Sequence, residues 1–441
     1  MGLSNSASTM PPKLKTLLLF VALSGPAHAQ ILTFAAAEQL LVKNNPELAA
    51  AMLGVKAARA DLTMASHGPN PNLSLSGNYY YGPYPLAPQT YHFGGALDST
   101  VGVSQLIERG GKRAFREAAA KHEVGAASDD LSDSRRKLRF RLAQSYYALA
   151  AAEEAEQVAL TDAALYRQSA NAMQLRLKTG DVSKVDAMRM EVAFEQSEIA
   201  LDQAMAQHNA ARRDLALLIG EVSRSEEIRT SVEWNLKNPV LFPAMAAPDF
   251  SAIVLTRPDV EAAGARVSQA EAQHGLALSL KDADVTVGIQ YEHVPAGSSI
   301  SNHDVGVSLS FPLQIRYQNQ GEIESAEVAR EAAVAQLGAV KAAALQELQK
   351  AWSDLGSARN LVEHYQNGIV PKAEQDAQAT EFAYKHGSGS LTDLLDARRT
   401  FHAVLLDAVN ARASYAIALE EWQAAAGEPP TPLLPSHAPL R

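Results

Sequence analysis

Asp393 and Asp396 stand three residues apart, just beyond the turn Gly387-Ser388-Gly389-Ser390. At that spacing both carboxylates share one face of the helix that begins there. In a symmetric assembly of several chains, each position becomes a ring of carboxylates. Stacked carboxylate rings select cations and are blocked by multivalent ones. A plainer account also stands: Asp in a first helical turn is favoured by the helix dipole alone. The pattern occurs earlier in the chain as Gly180-Asp181-Val182-Ser183 followed by Asp186. There the residue answering Asp396 is Arg189, so the two turns differ in charge.

Other chemistries find less support. The absence of cysteine excludes thiol catalysis, disulfides and Cys-based metal sites. Gly110-Gly111-Lys112 is followed by Arg113 and lacks the earlier glycine of a phosphate loop. Neither G-x-S-x-G nor H-E-x-x-H occurs. The histidines are scattered: His293 and His303 flank one loop, and His364, His386 and His402 are not at ligand spacing. Glu153, Glu154 and Glu156 read as a solvated helix face. The expectation is a protein that is not an enzyme and holds no cofactor or resident metal. A net charge of −10 argues against nucleic acid as a partner.

The elements that position these turns come in two copies. Lys178, Gly180 and Asp186 recur about 207 positions on as Lys385, Gly387 and Asp393, and Gly220-Glu221 recurs as Gly427-Glu428. Upstream, Val101-Gly102-Val103-Ser104 answers Val305-Gly306-Val307-Ser308. Asn45-Pro46-Glu47-Leu48 answers Arg257-Pro258-Asp259-Val260. Each copy reads as helix, two strands, very long helix, glycine turn and shorter helix. The resulting division is a signal peptide over 1–29, a first repeat over 30–220 and a connecting segment over 221–250. A second repeat covers 251–427, with a Pro-rich tail over 428–441. Lys13 and Lys15, the apolar run 17–23 and Ala27-His28-Ala29 make up the secretory signal. That run is too short to span a bilayer.

Leu73, Leu75, Gly77, Tyr79 and Tyr81 alternate with Ser74, Ser76, Asn78 and Tyr80; a less regular strand follows over about 99–107. In the second copy Val285, Val287, Ile289 and Tyr291 alternate with polar or small residues, as do Val305, Val307, Leu309 and Phe311. Strands of this length, apolar on one face and polar on the other, match an outer-membrane barrel. Tyr79, Tyr80, Tyr81, Tyr84, Tyr91 and Phe93 cluster at one hairpin end, as in an interfacial aromatic girdle. Four strands cannot close a barrel, and an open edge is not viable in lipid. Several chains must therefore assemble. Two give eight strands and three give twelve.

From 112 to 178 no proline occurs, and Leu131, Leu138, Leu142, Tyr146 and Leu149 trace a coiled-coil seam. That stretch reaches about 100 Å at 1.5 Å per residue. The counterpart over 319–385 is broken at most near Pro371, with Leu345, Leu348, Trp352, Leu355 and Val362 on its seam. A shorter return helix stacked end to end on an opening helix predicts a composite rod of matching length. The segment 221–250 is expected on the outside of such a tube. Ser183 and Ser390 are placed as N-caps, and Gly180 and Gly387 permit the tight helix-to-helix turns.

These residues resemble the TolC family of outer-membrane efflux ducts, from about Leu32 to Gly427. The two turn motifs are the most specific part. The run Ser104-Gln105-Leu106-Ile107-Glu108-Arg109-Gly110-Gly111-Lys112-Arg113 is similar to the strand-to-helix junction of the heavy-metal and cation branch. The resemblance implies a mainly α fold with a membrane β-barrel portion, in which a homotrimer builds a twelve-stranded barrel and a twelve-helix periplasmic tube. It implies the outer membrane of a Gram-negative bacterium, and a passive duct served by an inner-membrane pump of the RND type through a periplasmic adaptor. Heavy-metal cations are the expected cargo. Organic compounds, type I secretion, or a non-transporting trimeric coiled coil are the alternatives. By the same resemblance Asp393 and Asp396 form the acidic entrance rings, with Asp186 their counterpart. Tyr384 matches a tyrosine that latches the closed entrance. Gly180, Ser183, Gly387 and Ser390 lie where the adaptor docks. The arginine expected just before Ser390 is Gly389 here, so any latch that uses it must be made differently.

Overall fold

The computed structural model describes residues 30–79, 97–234, 236, 241–242, 246–293 and 303–427. The expected leader, both outer loops with most of the aromatic cluster, and the Pro-rich tail lie outside these residues. The first repeat runs β1 (Gln30–Leu32), α1 (Phe34–Asn44), α2 (Pro46–Ser66), β2 (Asn72–Tyr79), β3 (Leu97–Ile107), α3 (Lys112–Thr179) and α4 (Lys184–Leu218). A short 3-10 turn and β4 (Ile228–Thr230) follow. The second repeat runs α5 (Phe250–Leu255), α6 (Pro258–Ser279), β5 (Val285–His293), β6 (His303–Ser310), α7 (Gln320–His364), α8 (Val370–Lys385) and α9 (Leu391–Ala426). Among the described residues no helix is long and apolar enough to cross a membrane.

The four long strands form one antiparallel sheet in the order β2-β3-β5-β6. Its register puts Leu73, Val103, Ile289 and Val307 in one row, and Leu75, Val101, Tyr291 and Val305 in the next. This apolar face is exposed; Val307 is 80% accessible and Leu75 71%. The opposite face carries Ser74, Gly102, Gln290 and Gly306 in one row and Ser76, Thr100, Glu292 and Asp304 in another. Such a sheet needs lipid on one side and water on the other. Among the described residues, strands β2 and β6 each have a free edge.

Helix α3 is unbroken over 68 residues, or about 100 Å. Its seam is the core: Leu138, Leu142, Tyr146 and Leu149 are buried, with Leu131 packed alongside. Truncating one of these leucines to alanine costs about 2–5 kcal/mol. The second long rod has a defect where a break was expected. A proline ring clashes with the carbonyl four residues back and has no N–H to give. Here Tyr365–Ile369 widen into one π turn just before Pro371, and the Val370 N–H donates to the Tyr365 carbonyl. The wider turn absorbs the clash, and the backbone stays helical from α7 into α8.

The composite rods form as expected at their joints, but not in their length. Asn45 is non-helical, with φ −73° and ψ 124°. Its carboxamide oxygen accepts from the Glu47 and Leu48 N–H groups and starts α2. Its Nδ2 donates to the Leu218 carbonyl in the last turn of α4, at 3.2 Å. One side chain thus splices α4 to α2. Helix α1 does not continue the rod. It packs with Leu32, Ile219 and Ile228 around Tyr146, so the α4–α2 rod is about 85 Å long.

The second splice uses the repeat-equivalent residue. Arg257 is fully buried. Its Nη1 donates to the Ala425 carbonyl in the last turn of α9. Its Nη2 pairs with Asp259 and Glu347, each at 2.7 Å. Arg136 of α3 joins the cluster, 2.8 Å from Glu347 and 2.8 Å from Asp133. Burial pushes the Asp259 and Glu347 carboxyls up, but the hydrogen bonds and charge of Arg257 and Arg136 outweigh it and hold both below the usual carboxylate range.

The connecting segment lies against the middle of α3. Strand β4 pairs in parallel with β1. Trp234 Nε1 donates to the Ala150 carbonyl at 2.9 Å. The glutamates expected to be a solvated face are tied in. The Thr230 N–H donates to both Glu153 oxygens, and Glu156 pairs with His208 of α4. Glu153 anchors the segment, which needs acceptors for its free backbone N–H groups, while Glu156 ties α3 to α4.

Candidate functional site

The far ends of the rods carry the two acidic turns. At the first, Gly180 adopts a left-handed conformation, φ 80°. Its N–H donates to the Leu177 carbonyl and that of Asp181 to Arg176. Ser183 then caps α4: its hydroxyl accepts from the Asp186 N–H at 3.0 Å and donates to the Asp186 carboxylate at 2.8 Å. At the second turn Gly387 has φ 74°, and the Ser388 and Gly389 N–H groups both donate to the Ala383 carbonyl. Ser390 and Asp393 form a reciprocal capping box. The dipole explanation for Asp393 therefore holds locally: its carboxylate accepts from the Ser390 N–H at 3.4 Å.

Asp396 makes no such bond. It is exposed and lies 3.9 Å from Arg399, one turn on. Asp186 has the same relation to Arg189, also at 3.9 Å. Exposed pairs of this kind contribute about 0–1 kcal/mol, so neither locks its carboxylate. The Arg399 partner went unrecognised in the sequence, though its i,i+3 spacing was visible. Among the described residues no Lys, Arg or His pairs with Asp393.

The two turns share one core. Tyr166, Met173, Ala187, Met190, Leu391, Leu394 and Leu395 are buried together, and Tyr384 packs against them. The Tyr384 hydroxyl points to the Met173 sulfur, 4.0 Å away. Across the core Arg189 donates to the Thr392 hydroxyl at 3.4 Å and Arg399 to Gln196 at 3.0 Å. Arg398 turns inward, 3.5 Å from Glu381 and over the Tyr166 ring. A bond from Lys385, with the Arg398 charge behind it, holds the Glu381 carboxyl low. Gly389 is confined. A Cβ there would lie 3.1 Å from the Tyr384 nitrogen and 3.2 Å from the Ala383 Cβ. The turn folds too closely onto α8 to take an arginine without shifting.

At the other end, the Gly-Gly-Lys run is a structural fastening. Gly110 and Gly111 both have positive φ. Buried Lys112 donates to the Asp282 carbonyl and to Asp284, each at 2.7 Å, joining the β3–α3 turn to the α6–β5 turn. In the second copy Asn319, with φ 60°, stands in the glycine's place. Its carboxamide donates to the Leu280 carbonyl. Among the described residues no group of three or more His, Cys, Asp or Glu is arranged to hold a metal ion.

An open four-stranded sheet, apolar outside and polar inside, set on helical rods about 85–100 Å long, defines one wall segment of an outer-membrane duct. The chain belongs to the outer membrane efflux protein family, whose profile matches residues 38–221 and 251–428. The chain is 26% identical over 371 residues to the cobalt-zinc-cadmium resistance protein CzcC of Cupriavidus metallidurans, covering 84% of each chain. Its fold is similar to a membrane protein of Pseudomonas aeruginosa, with a TM-score of 0.76 at 18% identity over 90% of both chains. It is also similar to CusC, with a TM-score of 0.75 at 19% identity over 90% of this chain and 92% of that one. The TolC-like fold expected from the turn motifs is thus shown, and with it an outer-membrane efflux channel that has a helical tube.

Proposed function

We propose that the protein is the outer-membrane duct of a tripartite system that exports heavy-metal cations, fed by an RND-type pump through a periplasmic adaptor in a Gram-negative cell. The observation that carries the duct is the sheet with two free edges. Strands β2 and β6 run in opposite directions, so β6 of one copy meets β2 of the next in antiparallel pairing, as the rest of the sheet requires. Three copies give twelve strands, within the range of membrane barrels. Every polar-face position then lines a water-filled lumen.

Three features support cations as cargo. The described lumen face carries Asp98, Glu292 and Asp304 and no Lys or Arg. The tips would present rings from Asp393 and Asp396, with Asp186 beside them. The similarity to a cobalt-zinc-cadmium resistance protein points the same way. In the resting entrance Tyr384 and the cross-core bonds of Arg189 and Arg399 hold the helix ends together. Gly180, Ser183, Gly387 and Ser390 form the exposed turns that meet the adaptor.

The test is a deletion strain challenged with cobalt, zinc and cadmium. Tolerance should fall and return with the gene. Unchanged metal tolerance with new sensitivity to organic compounds would move the protein to the organic-export alternative. Docking is checked separately. Because the chain has no cysteine, Ser183→Cys and Ser390→Cys each introduce a single thiol. Each should cross-link to the adaptor, whereas a thiol at Thr63, near the membrane end of α2, should not.

A further inference from the structure

The foot of the sheet, where the strands pass into the helices, carries cations without counterions. Arg109 and Arg113 flank the β3–α3 turn, Lys281 sits in the α6–β5 turn and Arg316 lies in the strap between β6 and α7. All four are exposed. Among the described residues none of their side chains has a hydrogen-bond or ion-pair partner. The carboxylates at this level are mostly engaged: Glu108 by Arg116, Asp284 by Lys112 and Glu322 by the Tyr317 hydroxyl. Asp282 keeps a free carboxylate, and Asp61, Glu117 and Glu324 lie more than one turn down α2, α3 and α7. A cavity of about 520 Å³ opens beside Arg113, walled by Gly68, Pro69, Gln105 and Ile107. The strap is pinned on one side, where Gln314 and Asn319 donate to the Leu280 carbonyl at 2.8 and 2.9 Å. Its other side leaves Leu313 71% and Ile315 80% accessible, with Phe311 and Tyr317 also exposed. These side chains extend the exposed apolar row of Val305, Val307 and Leu309 towards the helices.

We infer that this collar binds anionic phospholipid, of the phosphatidylglycerol class, in the periplasmic leaflet of the outer membrane. The inference rests on the lipid-facing sheet proposed above. The apolar face of the sheet ends where the collar begins, and hydrocarbon ends where headgroup phosphates begin. At such a boundary long cationic side chains keep their stems on apolar surface and extend their charge to the headgroups. Each Lys or Arg close to an anionic leaflet gains about fivefold in association. The strap supplies the apolar part, with Leu313 and Ile315 at the acyl boundary and Arg316 and Tyr317 at headgroup level. The cavity beside Arg113 is within the size range of small-molecule sites and has room for a glycerophosphate headgroup. The charge also reverses along the sheet: at the loop end the polar face carries Asp98, Glu292 and Asp304. In a chain of net charge −10, uncompensated cations gathered at one level fit an anionic surface at that level. The collar fixes the depth of the sheet in the bilayer.

The test uses the full mature protein in phosphatidylcholine vesicles carrying a trace of spin-labelled phosphatidylglycerol or spin-labelled phosphatidylcholine. Electron paramagnetic resonance reads the protein-immobilised fraction of each. The wild type should favour phosphatidylglycerol about fivefold, and about 1 M salt should erase the difference. Arg109→Gln, Arg113→Gln, Lys281→Gln and Arg316→Gln combined should lose the preference while immobilising phosphatidylcholine as before. Equal association of the two lipids with the wild type overturns the proposal, and so does an unchanged preference in the variant. Immobilised phosphatidylcholine checks the lipid-facing sheet separately. Its presence without a headgroup preference leaves the barrel standing and removes the collar; its absence overturns both. A fluorophore on the single thiol of Ile315→Cys should be quenched by spin-labelled lipid. A disulfide between copies at that thiol, without quenching, would assign the strap to a neighbouring chain and overturn its contact with lipid.

Discussion

The two repeats make the same joint with different chemistry. At the first splice a neutral amide, Asn45, starts α2 and grips the end of α4. At the second a buried guanidinium, Arg257, grips the end of α9 through one nitrogen and two carboxylates through another. A neutral splice needs only its hydrogen bonds. A buried charge needs its partners to stay charged, because an uncompensated ion in the interior is far costlier than a lost hydrogen bond. The shared architecture therefore has one joint indifferent to protons and one that depends on them.

The largest expected difference is in stability. Arg257→Ala empties a fully buried site and leaves the partly exposed Asp259 and Glu347 with Arg136 as their one remaining cation; it should cost about 2–5 kcal/mol. Asn45→Ala removes a cap and should cost about 0.5–2 kcal/mol. Denaturant unfolding of the two variants checks the ranking; equal losses would erase the distinction between the joints.

Acid should separate them next. The Asp259 and Glu347 carboxyls titrate below their ordinary values. Their contribution is complete above the ordinary carboxylate range and is lost as pH falls through the lowered values. Hydrogen exchange at pH 3 should therefore rise at the α9–α6 joint more than at the α4–α2 joint. A uniform rise would contradict the assignment.

Smaller effects belong to the tips, where the backbones agree. Gly180 and Gly387 both have left-handed φ and open space where a Cβ would go. Gly180→Ala and Gly387→Ala should therefore cost about 1–2 kcal/mol each, from conformation alone, and by similar amounts in thermal unfolding. A marked difference would show that one tip carries a contact the other lacks.

Much of this was legible in the sequence because it is local or periodic. The period-two strands, the Ser183 and Ser390 caps and the left-handed glycines follow from spacing and backbone chemistry. The equivalence of Asn45 and Arg257 was visible as an alignment, but their work was not. Arg257 is buried only because α6, α9 and α7 converge on it. Glu153 looked solvated because the strand it holds is three residues long, too short to show a period, and Glu156 because its partner His208 lies on another helix, 52 residues away. The opposition of His293 and His303 across β5 and β6 needed the register, since a loop in between says nothing about which residues end up opposed. At the acidic tip, the pairing of Asp396 with Arg399 was within reach of helix spacing. The shared core beneath it, which brings together residues from all four helix ends, was not.

The central claim is that matched backbones build the wall while the unmatched charges of the second tip build the entrance. Conductance of the assembled protein in planar bilayers tests it most directly. Asp393→Ala with Asp396→Ala should raise conductance and lower cation selectivity, while Asp186→Ala should change both much less. An equal response from the two tips, or no channel under any condition, would contradict the account.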